Sequence, residues 1–403
     1  MKEVRQHQQC SATSFITQSV IILILTTQFA IIFILKSFHS LKLSFCQSRV
    51  LIKTSSSKRH HHMSDLYTAT TAAQVEEALA RGEGEKINKA GERPLLTPLF
   101  EAIKNNHFEV VDSLLNHGAD PKLNVSARGL SEGPIHYAAE RGHTEIVERL
   151  VRGGANINCL QGGVPVVVIA ASGGFFPLVE LCISLGANLD ATDSQDLTAL
   201  MYASEKGFIN IVDRLLASGV DVNVKDQRER TALMMASEYG RSDIVDRLLA
   251  SGSDVNAVDE NKTTALMSAS KGGHLNIVDN LVAKGAQINL HDHEGSNALM
   301  LACLHNHNDV AERLISLGSE INAQDEEGTT ALMLACGVDN VELIRLLLKH
   351  DADPLMKDHE KKKARDYIDE DGDNNEEISA LLLGFHLLSF LFHFNQKPKL
   401  TIR

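Results

Sequence analysis

The sequence predicts an all-α solenoid of stacked helix-turn-helix units joined by hairpin loops, and three recurrences predict it. Thr198-Ala-Leu-Met, Thr231-Ala-Leu-Met, Thr264-Ala-Leu-Met, Asn297-Ala-Leu-Met and Thr330-Ala-Leu-Met restart at intervals of 33 residues, a period that signals a repeat array. Each restart is followed by two short stretches with helical spacing of apolar residues. Each pair is then closed by Gly-x-Asp-x-Asn or a near variant, at Gly219, Gly252, Gly285 and Gly318. An array has no fixed core size, because each unit buries its apolar face on its neighbours.

The phase extends towards the N-terminus with small slips, so that units begin at Thr97, Gly133, Pro165, Thr198, Thr231, Thr264, Asn297 and Thr330. In the unit at Thr231, Leu233, Ala236, Ser237 and Gly240 gather on one side of a 3.6-period helix, and the small ones let a second helix approach. That second helix is expected over Ser242 to Ala250, with Ile244, Val245, Leu248 and Leu249 as its buried stripe. Gly252 ends it, because glycine just past a helix adopts the left-handed conformation freely. The polar residues before the next threonine, such as Val224 to Arg230 and Ala257 to Thr263, read as exposed loops or short hairpins.

These residues carry a resemblance to the ankyrin repeat. Thr97-Pro-Leu-Phe-Glu-Ala and Gly133-Pro-Ile-His-Tyr-Ala-Ala139 match the opening of its Thr-Pro-Leu-His-x-Ala-Ala signature. Arg141-Gly-His-Thr-Glu-Ile-Val-Glu-Arg-Leu150 matches its middle, and Gly118-Ala-Asp-Pro and Gly154-Ala-Asn-Ile-Asn158 match its close. The likeness covers roughly three quarters of the chain. From the unit at Thr198 onwards the signature proline becomes alanine and the signature histidine methionine; alanine keeps helix propensity at the first turn, so the fold is expected to tolerate the change.

The expected organisation is a basic segment over 1–62, a capping unit over 63–96, eight repeats over 97–355, a second cap over 356–383 and an apolar tail over 384–403. The first cap rests on Leu66, Tyr67, Val75 and Leu79, with Ser64 and Asp65 as helix-start residues. The second rests on Ala364, Tyr367, Ile368, Ile378, Leu381 and Leu382, around an acidic insertion from Asp369 to Glu377. Terminal units must close an exposed apolar face, so atypical sequence is expected there.

Charge divides the chain. Residues 1–62 carry eight basic residues against Glu3, net +7, which out of a whole-chain charge of −13 leaves the remainder at −20. So acidic a body argues against binding phosphate backbones and favours basic partners. Phe15 to Leu35 contain no charge, and six basic residues follow between Lys36 and Arg59. Two readings of 1–62 stand side by side. One is a membrane anchor through 15–35 that keeps the repeats on the cytosolic side; the other is an extension outside the working protein, which then starts at Met63. The Phe- and Leu-rich tail is too short, and too broken by His386 and His393, to span a bilayer.

Catalytic motifs are missing: there is no Gly-x-Gly-x-x-Gly, phosphate-binding loop, His-Glu-x-x-His or Gly-x-Ser-x-Gly. Counting Gly372 as the sixth position of a calcium loop puts Tyr367 first and Ile378 twelfth, where carboxylates are needed, so no calcium site is expected. Six scattered cysteines form no metal pair or disulfide framework. Cys303 and Cys336 occupy one repeat position and read as buried, reduced thiols of a cytosolic protein. His60, His61 and His62 read as a solvated tract, and His136, His143 and His274 as structural imidazoles. Asn124-Val-Ser126 and Asn261-Lys-Thr263 fit the glycosylation pattern, which has no meaning in a cytosolic array. No cofactor or metal is expected.

What remains is surface. The fourth residues after each opening are Glu101, Tyr137, Ile169, Tyr202, Met235, Ser268, Leu301 and Leu334; the eighth include Arg141, Lys206, Tyr239 and His305. These positions point away from the packed Leu/Ala face of the first helix. Of these, Tyr137, Tyr202, Met235 and Tyr239 are assigned to a partner groove, because aromatics and methionine are enriched at interfaces. Leu301 and Leu334 are assigned to packing between units. Arg228, Arg230, Lys262, His291 and His293 project from successive loop tips and vary while the helices stay constant, as a recognition surface on a rigid frame does. The chain is expected to be a monomeric module without catalytic activity, and the resemblance implies that it recognises another protein through the concave first-helix face and the tips. A membrane-tethered adaptor and a regulatory or inhibitory subunit of an enzyme are the alternatives.

Overall fold

A computed structural model describes residues 65–91, 96–127, 130–368, 372 and 374–384, all within the unit Met63–Arg403. The apolar run 15–35 lies outside the described residues, as does the tail beyond 384. Among the described residues no helix is long and apolar enough to cross a membrane.

The eight opening residues are each the N-cap of a helix. Their inner helices run Pro98–Lys104, Pro134–Glu140, Val166–Ser172, Ala199–Lys206, Ala232–Glu238, Ala265–Lys271, Ala298–Leu304 and Ala331–Gly337. Where the cap is threonine or asparagine, its side-chain oxygen accepts a hydrogen bond from the backbone N–H three residues on, as in Thr264 from Met267 at 3.2 Å and Asn297 from Met300 at 2.9 Å. Such a cap contributes about 1 kcal/mol. The methionine of the repeated tetrapeptide closes the loop: Met201, Met267 and Met333 accept the N–H of Thr198, Thr264 and Thr330 on sulfur at 3.4, 3.5 and 3.4 Å. Methionine therefore replaces histidine without opening the helix start, and alanine at the first helical position leaves the helix intact.

Each inner helix is followed by an antiparallel outer helix of nine residues, such as Ser242–Ala250 with Ile244, Val245 and Leu248 buried. Inner helices stack on inner and outer on outer, so one continuous core runs through the row, lined by leucine and alanine from the inner helices and by Ile, Val and Leu from the outer ones. Cys182, Cys303 and Cys336 lie in it as free thiols. Burial pushes the Cys182 and Cys336 thiols up to about 12, and that of Cys303 higher still.

Neighbouring units are stitched at three levels. First, ahead of five outer helices, a flat side chain (Phe175, Phe208, Arg241, His274 or His307) lies over a glycine of the preceding unit. The His274 ring covers Gly240 and donates from Nε2 to the Glu238 carbonyl at 3.1 Å, and His307 does the same over Gly273 with the Lys271 carbonyl at 3.0 Å. Second, the asparagine that ends each Gly-x-Asp-x-Asn clamps the next turn. Asn256 Nδ2 donates to the Gly285 carbonyl at 3.2 Å while its Oδ1 accepts from Gln287 N at 2.8 Å, and Asn223, Asn289 and Asn322 repeat the pair of bonds. Third, the outer faces carry ion pairs across units, including Arg149 with Asp112 and Arg214 with Glu180 at 2.5 Å, and Arg247 with Asp213. Exposed pairs of this kind add little each.

Strand is confined to two hairpins among the described residues, Val125–Ala127 with Leu130–Glu132 and Leu160–Gln161 with Val164–Pro165. His136, buried, holds the second: its Nε2 lies 3.1 Å from the Cys159 carbonyl and 3.2 Å from that of Val164, and burial lowers its pKa. The described ends are shorter. Helices Asp65–Thr68 and Ala72–Ala80 bury Leu66 and Val75, and the turn Ala364–Tyr367 with a helix over 375–384 buries Ala364, Ile378 and Leu382.

Candidate partner surface

The sequence-predicted residues fall into two separate rows, one on the inner helices and one on the hairpin tips. On the inner helices, Tyr239 is 49% exposed and Tyr202 and Tyr137 are half-buried. Tyr137 packs against Phe100, ring centroids 4.7 Å apart, and the Arg141 guanidinium sits 3.5 Å above its ring. Its open face is thus already covered by a cation of the same helix.

Met235 does not stand where the sequence reading put it. It is only 2% exposed, because the inner helices of adjacent units approach closely enough at this position to enclose an unbranched side chain. Glu101, at the corresponding position, is also buried and pairs with Lys104 at 3.2 Å. Leu301 and Leu334 are half-buried against the core, as their assignment to packing requires. Beyond them Leu304 is 46% exposed, a residue the sequence reading did not single out.

The tip residues are ordered by their backbones. Gln227, Glu260, His293, Glu326 and His359 each donate an N–H to the preceding tip, to the carbonyls of Gln195, Arg228, Asn261, Glu294 and Glu327 at 2.8 to 3.1 Å. Arg228, Lys262, His291 and His293 are exposed on this ladder, and the His291 ring lies 2.8 Å from the Gly295 carbonyl through Nδ1. Arg230 is not free: its Nε and Nη2 bond Asp226 at 3.0 and 2.8 Å.

Sequence reasoning missed what shapes the tips. Asp193, Asp226, Asp259, Asp292, Asp325 and Asp358 recur every 33 residues, and each uses Oδ1 to accept backbone N–H groups of its own turn. Their strict 33-residue spacing is the signal that marks them within the polar loops. At two of them the second oxygen accepts from a tyrosine, on an inner helix at one and in the turn Ala364–Tyr367 at the other. Tyr202 donates its hydroxyl to Asp193 Oδ2 at 2.8 Å and Tyr367 to Asp358 Oδ2 at 2.7 Å, both nine residues downstream. Burial, with Asp193 adding to it, pushes the Tyr202 phenol up to about 12.

Comparison with known proteins places the chain. A family model described as ankyrin repeats in three copies matches residues 135–226, 209–292, 233–325, 281–358 and 299–381, and one described as ankyrin repeats in many copies matches 99–151. No curated protein matches the chain. Among solved structures, the crystal structure of the human ASB11 ankyrin repeat domain is similar at 23% identity, covering 53% of this chain and 96% of that chain with a TM-score of 0.49.

Proposed function

Since the chain belongs to the ankyrin-repeat family, whose repeats mediate protein–protein interaction, we propose that it is a non-enzymatic module that holds another protein against its inner helices and hairpin tips. One observation carries the reading: on a frame locked by caps, clamps and a backbone ladder, Tyr239 stands 49% exposed on the open side of an inner helix. Tyr202 and Lys206 flank it from the preceding unit, Lys206 close enough to feel the Tyr239 phenol. A large aromatic held in water on a rigid surface is the kind of residue from which interfaces draw most of their energy. The non-enzymatic part of the proposal rests on the missing catalytic motifs.

The test is capture from native extract with wild type and with Tyr239→Ala/Lys206→Glu. Both side chains are exposed, so helicity and melting stay at wild-type values while a partner is lost from the captured set. Equal capture by both proteins refutes the reading. Residues 15–35 supply a tethered version of the same proposal, supported by their uncharged run and basic flank. Full-length protein then stays in the membrane pellet after carbonate extraction, and release into the supernatant removes the tether.

A further inference from the structure

Hairpin-tip aspartates show what the second carboxylate oxygen wants. At Asp193 and Asp358 it accepts a tyrosine hydroxyl, and at Asp226 the Arg230 guanidinium. In the three units between them, Asp259, Asp292 and Asp325 keep Oδ1 bonded to their own turns at 2.7 to 3.0 Å, but Oδ2 has no partner. The inner-helix residues at the tyrosine position there are Ser268, Leu301 and Leu334. Neither leucine can donate a hydrogen bond, and Ser268 forms none with Asp259. All three carboxylates are half-exposed. By the repeat's own geometry these oxygens face the seam between tips and inner helices, beside an apolar strip formed by Leu301, Leu304 and Leu334, of which Leu304 is 46% exposed.

We propose that this seam, over the units beginning at Thr264, Asn297 and Thr330, receives an extended protein segment with Lys or Arg at every third residue and apolar residues between. The cations fill the places that Tyr202, Arg230 and Tyr367 fill at the neighbouring tips, and the apolar residues cover Leu301, Leu304 and Leu334. Charge complementarity selects the occupant: three successive carboxylates each lack the donor that their equivalents have, on a body of net charge −20 once the basic residues 1–62 are set aside from the chain's −13. The spacing follows from stacking. Packed helices lie about 8–10 Å apart, and a chain in the polyproline II conformation advances about 3.1 Å per residue with about three residues per turn, so one unit matches about three residues and every third side chain faces the same way. This deepens the proposed binding reading and rests on it.

The experiment measures a labelled peptide of repeating Lys-Leu-Ser by fluorescence anisotropy at physiological salt, with repeating Glu-Leu-Ser as control. Asparagine keeps the oxygen that accepts the turn's N–H groups, so Asp259→Asn/Asp292→Asn/Asp325→Asn retains the wild-type fold while losing the second carboxylate charge. It is expected to bind the basic peptide about tenfold or more weakly. Asp193→Asn/Asp226→Asn/Asp358→Asn loses the same net charge at tips already satisfied, and is expected to bind within about threefold of wild type, an affinity ratio that reads out as well under 1.4 kcal/mol. Leu304→Gln, at an exposed site, weakens binding independently of the tips. Equal losses in the two triple variants, no loss in either, an unaffected Leu304→Gln, or no binding by wild type overturns the proposal. Native-partner capture that depends on Tyr239 and Lys206 but ignores the Asp259 triple variant overturns this inference alone; if capture ignores both, the binding reading falls with it.

Discussion

Substituting alanine for Gly240 tests how the units grip one another. Gly240 has φ +69°, in the left-handed region that costs a residue with a Cβ about 1–2 kcal/mol. A Cβ there would also stand 2.7 Å from Cε1 and 2.9 Å from Nδ1 of the His274 ring. Overpacking of that order adds about 1–3 kcal/mol, so Gly240→Ala is expected to cost about 2–5 kcal/mol in all. Gly252 provides the comparison: φ is +90° but nothing lies within 4 Å of the added carbon, so Gly252→Ala carries the backbone cost alone. Urea unfolding at equilibrium, analysed with nearest-neighbour coupling between units, measures both. His274→Ala removes the ring, and in the double variant Gly240→Ala/His274→Ala the two losses fall short of their sum by about 1–3 kcal/mol. Equal destabilisation by the two glycine substitutions, or strict additivity in the cycle, would refute the ring-on-glycine account.

Other consequences are equally direct. Asn256→Ala removes two bonds to the following turn and is expected to cost about 2 kcal/mol, at about 1 kcal/mol net per bond; a denaturation midpoint unchanged from wild type would show the clamp to be idle. Cys336, held at about 12 by burial, stays unreactive towards a thiol reagent at neutral pH until the array unfolds. Because its folded pKa is raised, the stability it lends is whole below the unfolded value near 9 and is lost as pH climbs towards 12. Prompt labelling of the native protein at that residue would contradict this. Tyr202→Phe severs the link to Asp193, and amide exchange at Gln195 and Leu197, whose N–H groups bond Asp193, quickens while the other tips keep their rates. In the wild type the Tyr202 phenol ionises near pH 12, so its stabilising effect is complete below pH 10 and disappears between 10 and 12, a window that ultraviolet titration against Tyr202→Phe reads directly.

The scaffold was largely legible because its signals are local and repeated. Every opening residue from Thr97 to Thr330 proved to be an N-cap, and the outer helix expected over Ser242 to Ala250 has those bounds. Such features depend on neighbours three or four residues away, which a sequence displays. The surface was less legible because it depends on neighbours about 33 residues away. Helical arithmetic put Met235 on the open side of its own helix; it cannot report that the inner helices on either side enclose it. Arg230 is different: its partner Asp226 is only four residues away, but the pairing depends on the curl of the turn, which the spacing alone does not give. The asparagine clamps were in plain view at Asn223, Asn256, Asn289 and Asn322, but their reach into the following unit is a fact of stacking rather than of spacing.

The clamps have a direction. Each asparagine gives both its bonds to the unit that follows it and takes none of this kind from there, and the line stops at Leu355, apolar and 42% exposed where an asparagine would stand. Growth of the array is therefore not symmetric. A module of the same length duplicated between Thr231 and Thr264 finds a donor and an acceptor already waiting on both borders, so internal lengthening needs no new chemistry. Lengthening after Leu355 adds a unit that must hold on without this clamp, as the unit after Lys122 already does.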